Sequence, residues 1–326
     1  MDTRCGLRCA GCGFKESHGC GGCIATNGHP FHGECPIAVC CQDRGLTHCG
    51  ECDEIPCELL YSYAYLDPEH GDKPQGARVE VCRRWAAERG IRRWENVLLT
   101  DAGFYNPHDL NQPLTAIIDR FAQMLGKPFG EAKVLFIPTA AQDDEARQVA
   151  AILKEQLLSI GVAPGNIAVY DIDGALTEDQ AMAFDAIYFT GGRDSHLLNR
   201  VRQTGFDRIV KRMVYANKVY VGQSAGSIIA TPNIRGCFGG AYNRETAGLC
   251  LVNAYIDAHC NFKPDLKGQD LPLPHIMLRD HQALAVSWAG YELVEETGAR
   301  QAGGWARPPK FGKDAFDAGP GAAQSR

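Results

Sequence analysis

Eleven of the chain's fifteen cysteines stand between Cys5 and Cys57, and this crowding constrains the fold before anything else does. Another is Cys82; only Cys237, Cys250 and Cys260 follow in the remaining three quarters of the 326 residues. A segment so poor in large apolar side chains cannot bury enough surface to offset its chain entropy, so it needs a staple. The chain as a whole, at 45% hydrophobic and 22% charged, has the composition of an ordinary buried core. The asymmetry predicts a cysteine-rich domain with a helical linker over residues 1–91, a larger domain over 92–302, and a flexible tail over 303–326 rich in glycine, alanine and proline. The boundary follows the helical pattern of Val79 to Gly90.

No stretch approaches the roughly 18–20 apolar residues of a membrane span, and MDTRCGLRCAGCG holds no signal-peptide core, so a cytoplasmic protein is expected. In a reducing compartment, clustered cysteines are metal ligands more often than disulfides. Their spacing fits: Cys5, Cys9 and Cys12, then Cys20 and Cys23, then Cys35, Cys40 and Cys41, then Cys49, Cys52 and Cys57. Two intervening residues let a pair of thiolates reach one tetrahedral ion. Eleven thiolates serve two four-coordinate sites with three left over, and His18, His29, His32 and His48 are nearby substitutes. Zinc is the expected ion, structural because a thiolate-saturated site keeps no open position; an iron–sulfur cluster uses the same ligands and stays open as the alternative. The phrases CGLRCAGC and HCGECDEIPC resemble a family of small, uncharacterised cysteine-rich bacterial and archaeal domains read as binding zinc or such a cluster. That likeness covers roughly residues 1–65 and brings no activity with it.

A net charge of −6 and a pI of about 5.9 leave no basic footprint for nucleic acid or an anionic membrane. Beyond residue 92, short apolar runs alternate with helical patterns: NVLLT, KVLFIPT, NIAVYDI, AIYFTGG and KVYVGQS. Runs this short and this apolar suit strands buried on both faces of a parallel sheet, and the alternation predicts an α/β sandwich. GLCLVNAYIDAHCNF and PHIMLRDHQALAVSW read as later strands closing the sheet. Ligands in such sheets bind at the carboxyl ends of the strands.

At one such end Gly222-Gln223-Ser224-Ala225-Gly226 fits G-x-S-x-G between a strand and a helical start. A serine hydroxyl needs a base to take its proton, and a carboxylate to orient that base. His259, His275 and His281 are the histidines after Ser224; His259, closing the run LVNAYIDA, sits at a strand end and is favoured. Asp280 is the expected orienting acid, with Asp257 and Glu245 as rivals. Gly191, Gly192 and the N–H of Ala225 are the expected oxyanion donors.

The order Ser224, His259, Asp280 differs from that of α/β-hydrolases, where the acid precedes the histidine. IYFTGGRDSHLL, VGQSAGS, YIDAHCNF and LRDHQAL, in this order, resemble the family of aspartyl dipeptidase and cyanophycinase, serine peptidases of family S51. The resemblance spans about residues 94–295. It implies a three-layer, parallel-sheet sandwich of the class I glutamine-amidotransferase type, Ser224 as nucleophile, His259 as base, and Asp280 where the dipeptidases carry a glutamate. It implies cleavage of small peptides, Asp-X dipeptides among them, with no catalytic cofactor. Arg193 and Asp194 stand where the family has Asn-Thr, Gln223 where Trp or Thr is common, and Ser227 replaces a small or amide residue; these positions are expected to line the substrate pocket. The competing reading is a catalytically altered amidotransferase-like sensor or scaffold whose cysteine-rich module contacts a protein partner.

Overall fold

The computed structural model describes residues 3–67, 71–91, 94–236, 243–260 and 273–297; Cys237 and the expected tail at 303–326 lie outside them. The chain divides into two compact units, residues 1–93 and 94–326.

In the first unit short helical turns carry the cysteines, and its longer helices are Pro36–Asp43 and Ala77–Glu88. Its buried apolar side chains are few, among them Ile37, Leu60, Tyr61, Tyr65 and Val79, and the thiols of Cys5, Cys41, Cys49 and Cys82 are buried with them. Asp72 fixes the start of the second helix by accepting from the Arg78 backbone N–H at 2.8 Å and its Nε–H at 2.6 Å.

The second unit is built on strands β1 (Val97–Thr100), β2 (Tyr105–Asn106), β3 (Asp109–Pro113), β4 (Val134–Ile137), β5 (Ile167–Val169), β6 (Ala186–Phe189), β7 (Val219–Gln223), β8 (Tyr255–Asp257), β9 (His275–Met277), β10 (Gln282–Ser287) and β11 (Gly290–Glu295). Seven of them form one sheet in the order β11-β10-β1-β7-β6-β4-β5. The run from β1 to β5 is parallel, and β10 and β11 add antiparallel at the β1 edge. Side chains alternate across a strand, so each strand feeds two cores. Leu99, Ile137, Phe189 and Tyr220 meet Leu197, Val201, Val210 and Met213 from helices Asp194–Gln203 and Phe206–Tyr215. Leu98, Phe136, Tyr188 and Val221 meet Ile117, Phe121, Leu153 and Leu157 from helices Thr115–Leu125 and Asp144–Ser159. Helices on both faces of a mostly parallel sheet make the three-layer sandwich that the alternation predicts.

One expectation fails. β8 and β9 do not close this sheet but pair with each other as a separate parallel ribbon, and only β10, further along, joins β1. A three-residue strand has no periodicity that says which partner it takes. Among the described residues no helix is long and apolar enough to cross a membrane.

Candidate active site

Parallel pairing puts the ends of β1, β7 and β6 at one edge of the sheet. Thr100 lies opposite Gln223 and Phe189 opposite Gly222, so Asp101, Ser224 and Gly191 emerge together. Ser224 turns from β7 into the helix Ala225–Ile228 with φ 50° and ψ −108°, a left-handed backbone costing about 1–3 kcal/mol for a non-glycine residue. The turn closes because its flanks lack side chains. A Cβ on Gly222 would stand 2.6 Å from the Gly226 carbonyl, and one on Gly226 2.6 Å from the Phe189 carbonyl oxygen. Tyr220 Oη–H donates to the Gly226 carbonyl at 2.6 Å, and the Ser224 N–H to the Thr100 carbonyl at 3.1 Å.

His259 follows β8, and its Nε2 lies 2.9 Å from Ser224 Oγ. His275 instead falls within β9, and His281 Nε2 lies 3.1 Å from Glu295 Oε1. The carboxylate facing His259 belongs to Asp101. It accepts the His259 backbone N–H at 2.6 Å and sits 3.4 Å from the ring Nδ1, with no exposed surface. An anion on the Nδ1 side holds a proton there, leaving Nε2 to accept from the serine hydroxyl.

This corrects the expectation that Asp280 orients the base. Asp280 stands behind Asp101, with its Oδ2 2.6 Å from His108 Nε2. The cause is topological: β10 runs antiparallel to β1 with Ala283 opposite Thr100, which carries the preceding turn alongside Asp101. Asp101, His259 and Asp280 thus converge within 4.8 Å. Asp101 and His108 went unrecognised in the sequence, although LLTD ends a strand and the rule for strand ends applies to it as it does to FTGG. Of the rival acids, Asp257 is the last residue of β8 and Glu245 is exposed.

Two further expectations change. The Gly191 N–H is not available to an oxyanion, because it donates to Gln223 Oε1 at 2.6 Å. Among the described residues the N–H groups of Gly192 and Ala225 carry no hydrogen-bond partner, and they remain as donors beside Ser224. Gly192 cannot carry a side chain: its φ is +131°, and a Cβ would meet the Ala140 carbonyl oxygen at 2.2 Å. Ser227 does not line a pocket. It is buried under the turn, donating to the carbonyls of Thr100 and Gly222 at 2.8 and 2.9 Å.

Gln223 is also buried. Its Nε2–H donates to the Asp101 carbonyl at 2.7 Å while its Oε1 holds Gly191, so one side chain ties the ends of β1 and β6 to that of β7. Gln223→Leu keeps the bulk and strands a buried N–H and a buried carbonyl, at about 1–3 kcal/mol each. A loss of about 2 kcal/mol lowers Tm by roughly 4–8 °C, measurable by thermal unfolding.

A cavity of about 560 Å³ opens over Ser224 and His259, a size suited to a small ligand. Val149, Ile152 and Leu153 of the helix Asp144–Ser159 form an apolar wall, and Arg193 and Glu145 bring charge to it. Asp143, also at the cavity, is engaged as the helix cap, accepting from the Ala146 N–H at 2.9 Å. Arg193 is exposed and, among the described residues, has no ion-pair partner.

The cysteine-rich unit gathers its own donors. Among the described residues its twelve cysteines form no disulfide. Cys41 and Cys49 place their sulfurs 3.6 Å apart, close to the roughly 3.8 Å between two thiolates at 2.3 Å from a tetrahedral zinc. Cys82, outside the expected eleven, is buried on the helix Ala77–Glu88, its thiol 4.0 Å from the Arg4 carbonyl. Among the described residues no three sulfurs lie within 4.8 Å of one another, so the pair fits two corners of a site and the others would have to rotate inward. Burial pushes the Cys5 thiol up to about 11, so a metal there would have to displace its proton.

Two family models match this chain. Residues 1–62 match a family model described as a protein of unknown function, DUF3795. Among curated proteins, an uncharacterized peptidase of Pasteurella multocida is 26% identical over 186 residues, covering 52% of this chain and 88% of the relative. An uncharacterized peptidase of Listeria monocytogenes is 33% identical over 101 residues, 31% of this chain. The chain spans about half the length of that relative, 49%. Among solved structures, a putative peptidase E protein from Listeria monocytogenes aligns with a TM-score of 0.47 at 22% identity, covering 62% of this chain and 98% of that one. The second match takes in the Ser224 turn and His259: the model described as peptidase family S51 runs over residues 106–290, more than half of the sequence, and the chain belongs to that family.

Proposed function

We propose that the protein is a serine peptidase that cleaves amide bonds of small peptides through an acyl-enzyme. The observation that carries this reading is the 2.9 Å contact between Ser224 Oγ and His259 Nε2, with buried Asp101 on the other side of the ring. Ser224 Oγ attacks the carbonyl carbon as its proton passes to His259 Nε2, and Asp101 stabilises the imidazolium. The N–H groups of Gly192 and Ala225 receive the developing oxyanion. His259 then gives the proton to the departing amine, and water, activated by the same ring, releases the acyl group. Arg193, with no ion pair among the described residues, offers an acidic substrate side chain a partner at the cavity wall, which supports the Asp-X preference of the family resemblance. Hydrolysis of a dipeptide panel containing Asp-X and X-Asp members, followed by release of free amino acid, tests this. Inactivity on every peptide favours the sensor or scaffold reading.

The same reading makes the cysteine-rich unit a structural metal module of a cytoplasmic enzyme, binding zinc through thiolates and available to a protein partner. The lack of disulfides among its described cysteines and the Cys41–Cys49 spacing support this. Metal analysis of the purified protein is expected to give close to two zinc ions per chain, and chelation to unfold this unit; visible absorbance with iron would replace zinc by a cluster.

A further inference from the structure

We propose that Asp280 works as a neutral carboxylic acid, a positioning residue that donates its own proton to Asp101 and accepts from His108, and so keeps Asp101 the anion beneath His259. This rests on the serine peptidase reading of the site. The two carboxyl groups bring oxygens within 4.8 Å of each other, and both are buried, at 0% exposure for Asp101 and 4% for Asp280. Two buried carboxylates this close repel each other, and because their oxygens are all acceptors, a proton held by one of them is what relieves the repulsion and joins the pair.

The surroundings decide which acid holds that proton. Asp101 accepts the His259 backbone N–H at 2.6 Å and faces its Nδ1 at 3.4 Å, and both contacts favour the anion. Its Oδ2 has no N–H or O–H donor at hydrogen-bond geometry among the described residues, a requirement that a carboxylic acid alongside meets. For Asp280, burial comes first and neighbouring Asp101 next in pushing the carboxyl up, and His108 opposes them. His108 Nε2 at 2.6 Å from Oδ2 engages one oxygen, and its backbone N–H donates to Asn106 Oδ1 at 3.0 Å, which holds the residue in place. We place the proton on the other oxygen, on the side of Asp101. The line His108, Asp280, Asp101, His259, Ser224 is then satisfied with a single negative charge, on Asp101, when His108 and His259 are neutral.

Substitution separates this from the alternative in which Asp280 is the ionised orienting acid. An asparagine copies a protonated aspartate: its amide N–H donates to Asp101 and its oxygen accepts from His108. Asp280→Asn is expected to keep kcat within about threefold, whereas Asp280→Ala loses about 10- to 100-fold in kcat with KM little changed. An asparagine variant as impaired as the alanine one overturns the proposal. Carboxyl 13C NMR of the full-length protein labelled at aspartate, with the Asp280 signal assigned by its loss in Asp280→Asn, reads the proton without any substrate. A carboxylic-acid shift at pH 7 supports the proposal and a carboxylate shift overturns it. A protein without peptidase activity still gives this readout, so failure of the peptidase reading shows separately as an inactive wild type.

Discussion

Replacing Ser224 by alanine is expected to abolish peptide hydrolysis, lowering kcat by roughly 10³-fold or more, because no other group takes the place of an attacking oxygen. The substitution removes only Oγ, so the β7 turn, held by the Tyr220 and Ser227 hydrogen bonds, keeps its course. Tm should therefore hold within a few degrees, which separates lost chemistry from lost structure. The measurement is release of free amino acid from the dipeptide panel by wild type and variant side by side. Residual turnover close to the wild-type rate would place the nucleophile elsewhere.

Asp101→Asn is expected to cost about as much as the loss of a triad acid elsewhere, on the order of 10⁴-fold in kcat. The amide oxygen still accepts the His259 backbone N–H, so the loop keeps its anchor. The amide nitrogen, a donor, then faces Nδ1 and drives the ring proton to Nε2, where it blocks acceptance from Ser224. KM should change little, since Asp101 lies beneath the base, away from the cavity wall. Full activity in this variant would return the orienting role to another carboxylate. Asp101 and Asp280 are therefore predicted to respond to the same Asp-to-Asn change in opposite ways, a contrast that sequence position alone does not suggest.

Much of the sheet is legible from local pattern. NVLLT, KVLFIPT, NIAVYDI, AIYFTGG and KVYVGQS each contain a strand of the parallel core, because double-sided burial demands unbroken apolar runs. The short segments around Tyr255 and His275 were misassigned to that sheet because pairing partners are not written in a three-residue run. Within the site, the serine turn is a local motif, and the placement of His259 follows from the strand-end rule. The acid is not local: Asp101 and Asp280 meet only because β10 lies against β1, and strand order is a property of the whole sheet. Gly191 failed as an oxyanion donor for a similar reason. A glycine pair at a strand end looks available until Gln223, arriving from the neighbouring strand, takes its N–H. Cys82 stands apart in spacing and joins the buried cysteines of its unit from a helix that the cysteine pattern does not contain.

The Gln223 bridge bears on how such a protein could diversify. Because one buried side chain couples three strand ends, the reacting groups inherit their alignment from the register of the sheet, whereas the apolar wall of the cavity comes from the outer helix Asp144–Ser159. Turnover and selectivity then rest on physically separate parts. Residues such as Val149 and Ile152 can be exchanged to admit a different peptide while the nucleophile and its base stay aligned, so libraries aimed at new substrates belong on that helix, with the strand ends left alone.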